Sequence, residues 1–257
     1  MQYHKLLIER PFFFEAGGVL PRLEVAYHTS PRPYSPGEKI VWICHALTAN
    51  SDAEDWWPQM VGPGKLIDTD RYYVVCVNML GSPYGSSSPA TLNPETGRPY
   101  LLDFPRVTVR DIIHATIEVR KALGISKVDL LVGSSIGGFQ ALEWAVQEPE
   151  VIAHAAFMAT SARVTPFLTA TEESQRMALE ADPSFREAAS LKGGRGGPSL
   201  RPQHRAPFVP QFRMLCRDAT GRRPRHAFRR PCLLLPALPG QETLRPLRRL
   251  LLLHALL

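Results

Sequence analysis

The sequence predicts an α/β protein built on a mostly parallel sheet with flanking helices, and three observations predict it. Over the first 190 residues, short β-branched and aromatic runs alternate with helical patterns, each bounded by Gly, Asn, Asp or Pro. With 44% hydrophobic and 21% charged positions in 257 residues, the chain has the apolar content for one sizeable core. A Gly-x-Ser-x-Gly sequence lies directly between one of the strand-like runs and one of the helical patterns.

Each element has its own reason. Phe12 to Phe14, Gly17-Gly18 and the alternation of Leu23, Val25 and Tyr27 predict an opening β-hairpin. Lys39 to Cys44 and Tyr72 to Val77 read as buried strands, each followed by a loop of small polar residues. Thr108 and Asp111 have the spacing of a capping box, and Val109, Ile112, Ile113, Thr116 and Ile117 then repeat at helical spacing as far as a stop at Gly124. Lys127 to Val132 predicts another strand and Gly133 to Gly138 a tight turn. Phe139, Leu142 and Val146 then mark the apolar stripe of a helix that ends before Pro149. The next strand is expected at Ile152 to Ala159.

Charge divides the chain in two. From Leu191 to Leu257, 13 Arg and 1 Lys face only Asp218 and Glu242, a net +12, which leaves −6 for the first 190 residues. Those last 67 residues also hold 9 Pro and 15 Leu with no clear period of 2 or 3.6, and they predict a poorly ordered basic tail. The expected organisation is therefore a core over 1–190 and an Arg/Pro/Leu-rich tail over 191–257. A nucleic-acid-binding reading of the tail has against it the acidic core and an aromatic content of only Phe208, Phe212 and Phe228. Cys44, Cys76, Cys216 and Cys232 follow no metal-ligand or paired spacing, so no metal is expected. Met1 to Arg10 carries charge where a signal peptide needs an apolar stretch. No apolar run approaches the ~18 residues that cross a bilayer. The expectation is a reduced, cytoplasmic chain with no membrane partner.

Chemistry concentrates at Gly133-Ser134-Ser135-Ile136-Gly137. A serine on a strained strand-to-helix turn exposes its hydroxyl, and glycines two positions either side are needed where a Cβ would clash with strand or helix. Ser135 takes the nucleophile's position. The backbone N–H of Ile136 then lies at a helix N-terminus, where unpaired donors and the helix dipole stabilise a developing oxyanion. A second donor is expected from the loop after an earlier strand, and the Leu47 N–H in His45-Ala46-Leu47-Thr48 is the candidate. His45 itself reads as a locally packed loop histidine, because this architecture orders its triad Ser, Asp or Glu, then His.

Several stretches together resemble the homoserine O-acyltransferase family of the α/β-hydrolase superfamily. His45-Ala46-Leu47-Thr48 with Trp56-Trp57 resembles its oxyanion loop, and Asn78 to Ser82 with Tyr84 to Pro89 its next loop. Phe104-Pro105, Thr108 to Asp111 and Leu123 to Ile125 resemble the helix before the nucleophile strand. Gly133 to Gly138 with Gln140 to Trp144 resembles the elbow, and Gln175-Arg176 with Asp182-Pro183 the start of the lid. The resemblance covers about residues 10 to 187. It implies an acetyl group passing from acetyl-CoA to the hydroxyl of L-homoserine through an acyl-serine, a committed step toward methionine, with succinyl-CoA as donor in some members. It further implies no bound cofactor, acetyl-CoA serving as substrate, and a homodimer whose contact uses the lid.

The tail departs from that family. A serine at its ordinary pKa needs a histidine base and an orienting carboxylate, both C-terminal to Ser135 in this architecture. Before the tail the candidate is His154, inside a predicted strand; the tail offers His204, His226 and His254 with Asp218 and Glu242. Asp218 and His226 have the right order, but eight residues cannot hold a strand, helix and strand between them. The triad Asp and His are thus not identified. A truncated and impaired acyltransferase, a catalytically silent paralogue and a serine esterase all stay open. Loss of the last strands would leave an unpaired edge and uncovered apolar faces, which favours aggregation. The abrupt change of composition predicts an out-of-frame segment beginning near Ala188 to Gly194. Translating the coding DNA in its other two frames is expected to continue the core into amphipathic helices with a later Asp and His; two frames without them refute it.

Overall fold

In a computed structural model that describes residues 1–182, a six-stranded sheet runs in the order β1-β4-β6-β5-β7-β8. These strands are β1 (Gln2–Ile8), β4 (Leu23–Thr29), β5 (Ile40–Cys44), β6 (Tyr73–Val77), β7 (Leu130–Ser134) and β8 (Ala155–Met158). β6, β5, β7 and β8 are parallel, and β4 and β1 extend the sheet antiparallel from β6. The helices are α1 (Ala53–Trp56), α2 (Val109–Ala122), α3 (Ile136–Gln147) and α4 (Pro166–Glu180). The tail expected over 191–257 lies outside the described residues, as does the boundary at 190.

Every residue of β5 and β6 is buried, which is why both read as unbroken apolar runs rather than alternating ones. Trp42 of β5 faces α2 and α3, where its ring meets Trp144 edge to face with centroids 5.0 Å apart. Val41 and Ile43 face the other way, with Val74, Cys76 and Val132, toward Ala53, Val61 and Ile67. α2 is capped at both ends. Asp111 N–H donates to Thr108 Oγ1 at 3.2 Å and Thr108 N–H to Asp111 Oδ2 at 2.8 Å, the reciprocal box the sequence predicts. At the other end Ile125 N–H reaches Arg120 O at 3.1 Å and Gly124 N–H reaches Lys121 O at 3.0 Å, a Schellman stop made possible by φ +68° at Gly124.

Three expectations are corrected. Phe12 and Phe13 (β2) pair with Val19 and Leu20 (β3), not with Leu23 to Tyr27. β4 is buried on both faces and has two neighbours in the main sheet, a better outlet for its backbone groups than a short hairpin. Its outer neighbour β1 was hidden by its polar side chains, which suit an edge strand, and Lys5 there pairs with Glu24 at 2.7 Å. The buried stripe of α3 is Gly137, Gln140, Ala141 and Trp144, while Val146 is 77% exposed. The apolar period of Phe139, Leu142 and Val146 marks a face turned off the sheet, because the small residues permit the closer approach.

That approach is set at two glycines. A Cβ on Gly137 would lie 2.1 Å from Cys44 O, and one on Gly133 would lie 2.2 Å from Gly137 O, so backbone meets backbone where α3 leaves the sheet. Among the described residues β8 has β7 as its single strand partner and ends beside the same turn; on the sheet face away from α3, Val41, Leu130, Val132, Ala156 and Met158 line an open apolar hollow of about 400 Å³.

Gly137→Ala is expected to destabilise the fold by roughly 2–3 kcal/mol through overpacking, although helix propensity alone would stabilise it. Urea unfolding followed by tryptophan fluorescence reads the sign. Thr108→Ala is expected to cost about 1 kcal/mol through the lost cap, in the same measurement.

Candidate active site

The turn between β7 and α3 puts Ser135 at φ +56°, ψ −124°, in the left-handed half of backbone space that a side chain seldom occupies. Its neighbours hold it there. Ser135 N–H donates to Met158 O at 3.1 Å, at the end of β8, and Ser135 O accepts from Gly138 N–H at 2.9 Å. The side chain is exposed. Ala159, the residue after β8, is also forced to positive φ (+47°), and the following Thr160 packs so tightly on Gly138 that a Cβ there would lie 2.4 Å from its methyl group. Sequence patterning carried no sign of this second strained position.

Opposite the turn lies the loop after β5. Ala46 O accepts from Ala49 N–H at 3.0 Å, closing a tight turn with Leu47 and Thr48 at its tip. Neither the Leu47 N–H nor the Ile136 N–H has a hydrogen-bond partner among the described residues. Because Gly137 abuts the carbonyls of Cys44 and His45, the first turn of α3 and this loop share one end of the sheet.

His45, also at that end, is fully buried. Its Nε2 accepts from Met79 N–H at 3.1 Å and its Nδ1 lies 2.9 Å from Ala46 O. Burial holds its pKa down to about 4, so the ring is neutral. With both nitrogens engaged it has none to offer Ser135, in accord with the sequence reading. Burial likewise pushes the Cys44 thiol up to about 12 and raises Cys76, so neither is a thiolate. His154, which precedes β8, donates from Nδ1 to Asp129 O at 3.0 Å and sits at the opposite end of the strands from Ser135. The tail candidates His204, His226, His254, Asp218 and Glu242 lie outside the described residues.

The loop after β6, which the sequence marks by Asn78 to Ser82 and Tyr84 to Pro89, is fastened by its own polar groups. Asn78 Oδ1 accepts from Ser51 N–H at 2.7 Å and Asn78 Nδ2 donates to Tyr84 O at 2.8 Å. Ser86 Oγ accepts from Ala26 N–H, and Ser87 Oγ from Glu24 N–H, completing the edge of β4 beyond its last pairing with β6. Trp56 and Trp57 stack at 5.6 Å and wall a cavity of about 280 Å³ with Cys44, Ala46, Ser134 and Met158. Among the described residues no helix is long and apolar enough to cross a membrane.

Known proteins resemble this chain in sequence and fold. The homoserine O-acetyltransferase of Trichormus variabilis is 41% identical over 185 residues, 72% of this chain and 51% of its own length. That of Chlorobium chlorochromatii is 40% identical over 194 residues, 76% of this chain and 53% of its own length. The chain thus spans about half the length of the curated relatives it matches. Among solved structures, the homoserine O-acetyltransferase from Bacillus anthracis superposes with a TM-score of 0.65 at 28% identity, covering 75% of this chain and 56% of that one. Esterase E22 gives the same TM-score and identity over 73% of this chain and 56% of its own. The profile of the alpha/beta hydrolase fold matches residues 39–234, and with the elbow, the sheet order and these relatives it settles the family: the chain belongs to the α/β hydrolase fold family.

Proposed function

We propose that this chain is an acyltransferase of the homoserine O-acetyltransferase type, in which Ser135 is the nucleophile and the N–H groups of Leu47 and Ile136 are the oxyanion donors. The observation that carries the reading is the exposed Ser135 at φ +56°, held between the ends of β7, β8 and α3. Ser135 Oγ attacks the thioester carbonyl of acetyl-CoA, and the tetrahedral oxyanion collapses as the C–S bond breaks and CoA leaves with a proton. The hydroxyl of L-homoserine then attacks the acyl-serine, and O-acetylhomoserine departs as Ser135 regains its proton. Neither amide has a partner among the described residues, so no such contact need be given up when charge develops on the substrate oxygen.

The described residues contribute, on this reading, the nucleophile and the donors, and the histidine and carboxylate that turnover at a full rate needs are not identified among them. On this reading acetyl-CoA and L-homoserine are the small-molecule partners, no cofactor is resident, and the chain works in the cytoplasm on the route to methionine. The sequence relatives favour transfer to homoserine over transfer to water. Esterase E22, equally near in structure, favours a second reading in which water deacylates the serine.

Thiol release from acetyl-CoA, followed with and without L-homoserine beside a Ser135→Ala control, separates these. The expected outcome is homoserine-dependent release that disappears in the variant. Release that persists in Ser135→Ala removes this serine from the path, and Ser135-dependent release indifferent to homoserine selects the esterase reading.

A further inference from the structure

We infer that His45 is a positioning residue for the oxyanion hole: its ring fixes the Ala46–Leu47 peptide so that the Leu47 N–H faces the cleft. The inference rests on the acyl-serine reading above and assigns a role to a group that the reaction itself does not touch.

The hydrogen-bond partners of the ring determine where its proton sits. A backbone N–H can only donate, so Nε2, 3.1 Å from Met79 N, must carry a lone pair. A carbonyl can only accept, so Nδ1, 2.9 Å from Ala46 O, must carry the proton. Only one neutral tautomer satisfies both. The buried setting of the ring, 0% exposed, opposes the charged form that would break the bond to Met79.

The consequence runs through one peptide plane. Ala46 O accepts from His45 Nδ1 and from Ala49 N–H at 3.0 Å, so both of its lone pairs are drawn into the protein. In a planar trans peptide the N–H points opposite to the C=O. Holding the Ala46 carbonyl inward therefore turns the Leu47 N–H outward, and that N–H has no partner among the described residues. The anchor for the ring is equally defined. Met79 follows β6, and Gln140 Nε2 of α3 lies 2.9 Å from Met79 Sδ and 3.4 Å from His45 O, so the loop after β5 is tied to the loop after β6 and to the helix that begins at Ile136. Both proposed donors are thus referenced to one buried cluster. A histidine that only filled space would not need this tautomer.

Two substitutions separate the ring's two bonds. In His45→Asn the side-chain amide nitrogen can take the place of Nδ1 and still donate to Ala46 O. In His45→Gln the amide oxygen can take the place of Nε2 and still accept from Met79, leaving Ala46 O without its side-chain donor. The probe is p-nitrophenyl acetate, with the first-turnover release of p-nitrophenol reporting acylation and Ser135→Ala as control. Acylation in His45→Gln is expected to fall by about 10²–10³, the cost of one oxyanion donor, and His45→Asn to stay within about tenfold of the unsubstituted chain. Equal rates in the two variants, or rates that follow their melting temperatures, overturn the inference.

If the unsubstituted chain and Ser135→Ala release p-nitrophenol alike, the acyl-serine reading fails and the amide spectrum decides about His45. A Leu47 N–H resonance kept in His45→Asn and displaced in His45→Gln then supports the positioning role, and one unmoved in both overturns it. Should neither variant fold, ¹⁵N spectra of the unsubstituted ring decide: Nδ1 protonated and Nε2 bare at neutral pH is expected, and the opposite tautomer overturns it.

Discussion

Backbone touching backbone at Gly133 and Gly137 is the constraint on which the rest of the site depends. With no Cβ at either position, the first turn of α3 settles against the carbonyls of Cys44 and His45 and against the end of β7. A helix normally stands off a sheet by the length of its side chains; here its N-terminus comes within reach of the loop that follows β5. The strain at Ser135 is a consequence of the same geometry. The chain must leave β7 and enter α3 within one residue, and only a positive φ turns it sharply enough. Further along the helix the spacing widens enough to seat Trp144 against Trp42, so the large aromatic pair anchors what the glycines allow to approach.

Three titratable side chains buried at this end of the sheet are uncharged. His45, Cys44 and Cys76 are all buried, and desolvation keeps each of them neutral near pH 7. The amides at Leu47 and Ile136, which have no partner among the described residues, then present partial positive charge. Such an arrangement favours a group whose negative charge appears only transiently, because a preorganised dipole needs no rearrangement when that charge develops.

Around this centre the described residues build one side of a site more fully than the other. Loops after β5 and β6 are laced together by Asn78, Ser51, Ser86 and Ser87. On the far side β8 has one strand neighbour, and the hollow beside Val132 and Met158 lies open. The surroundings of Ser135 rest on contacts between segments distant in sequence, Gly137 against Cys44 and His45 and Ser135 against Met158, all of which lie among the described residues.

By itself the sequence determined the α/β class, the capped helix from Thr108 to Gly124, the two central strands and the elbow, because each rests on local chemistry: a side chain that caps its own helix, a glycine that alone tolerates a turn, an apolar run buried on both faces. It also placed Ser135 on the turn between β7 and α3, since strand, turn and helix signals met at one point. Tertiary structure alone decided which face of α3 packs inward, that Gln2 to Ile8 joins the sheet, and that Leu23 to Thr29 leaves the hairpin for it. It decided too that His45 bonds Met79, thirty-four residues away. Those outcomes depend on how closely two surfaces can approach and which backbone groups remain unpaired when they do. Neither quantity is a property of any segment read alone.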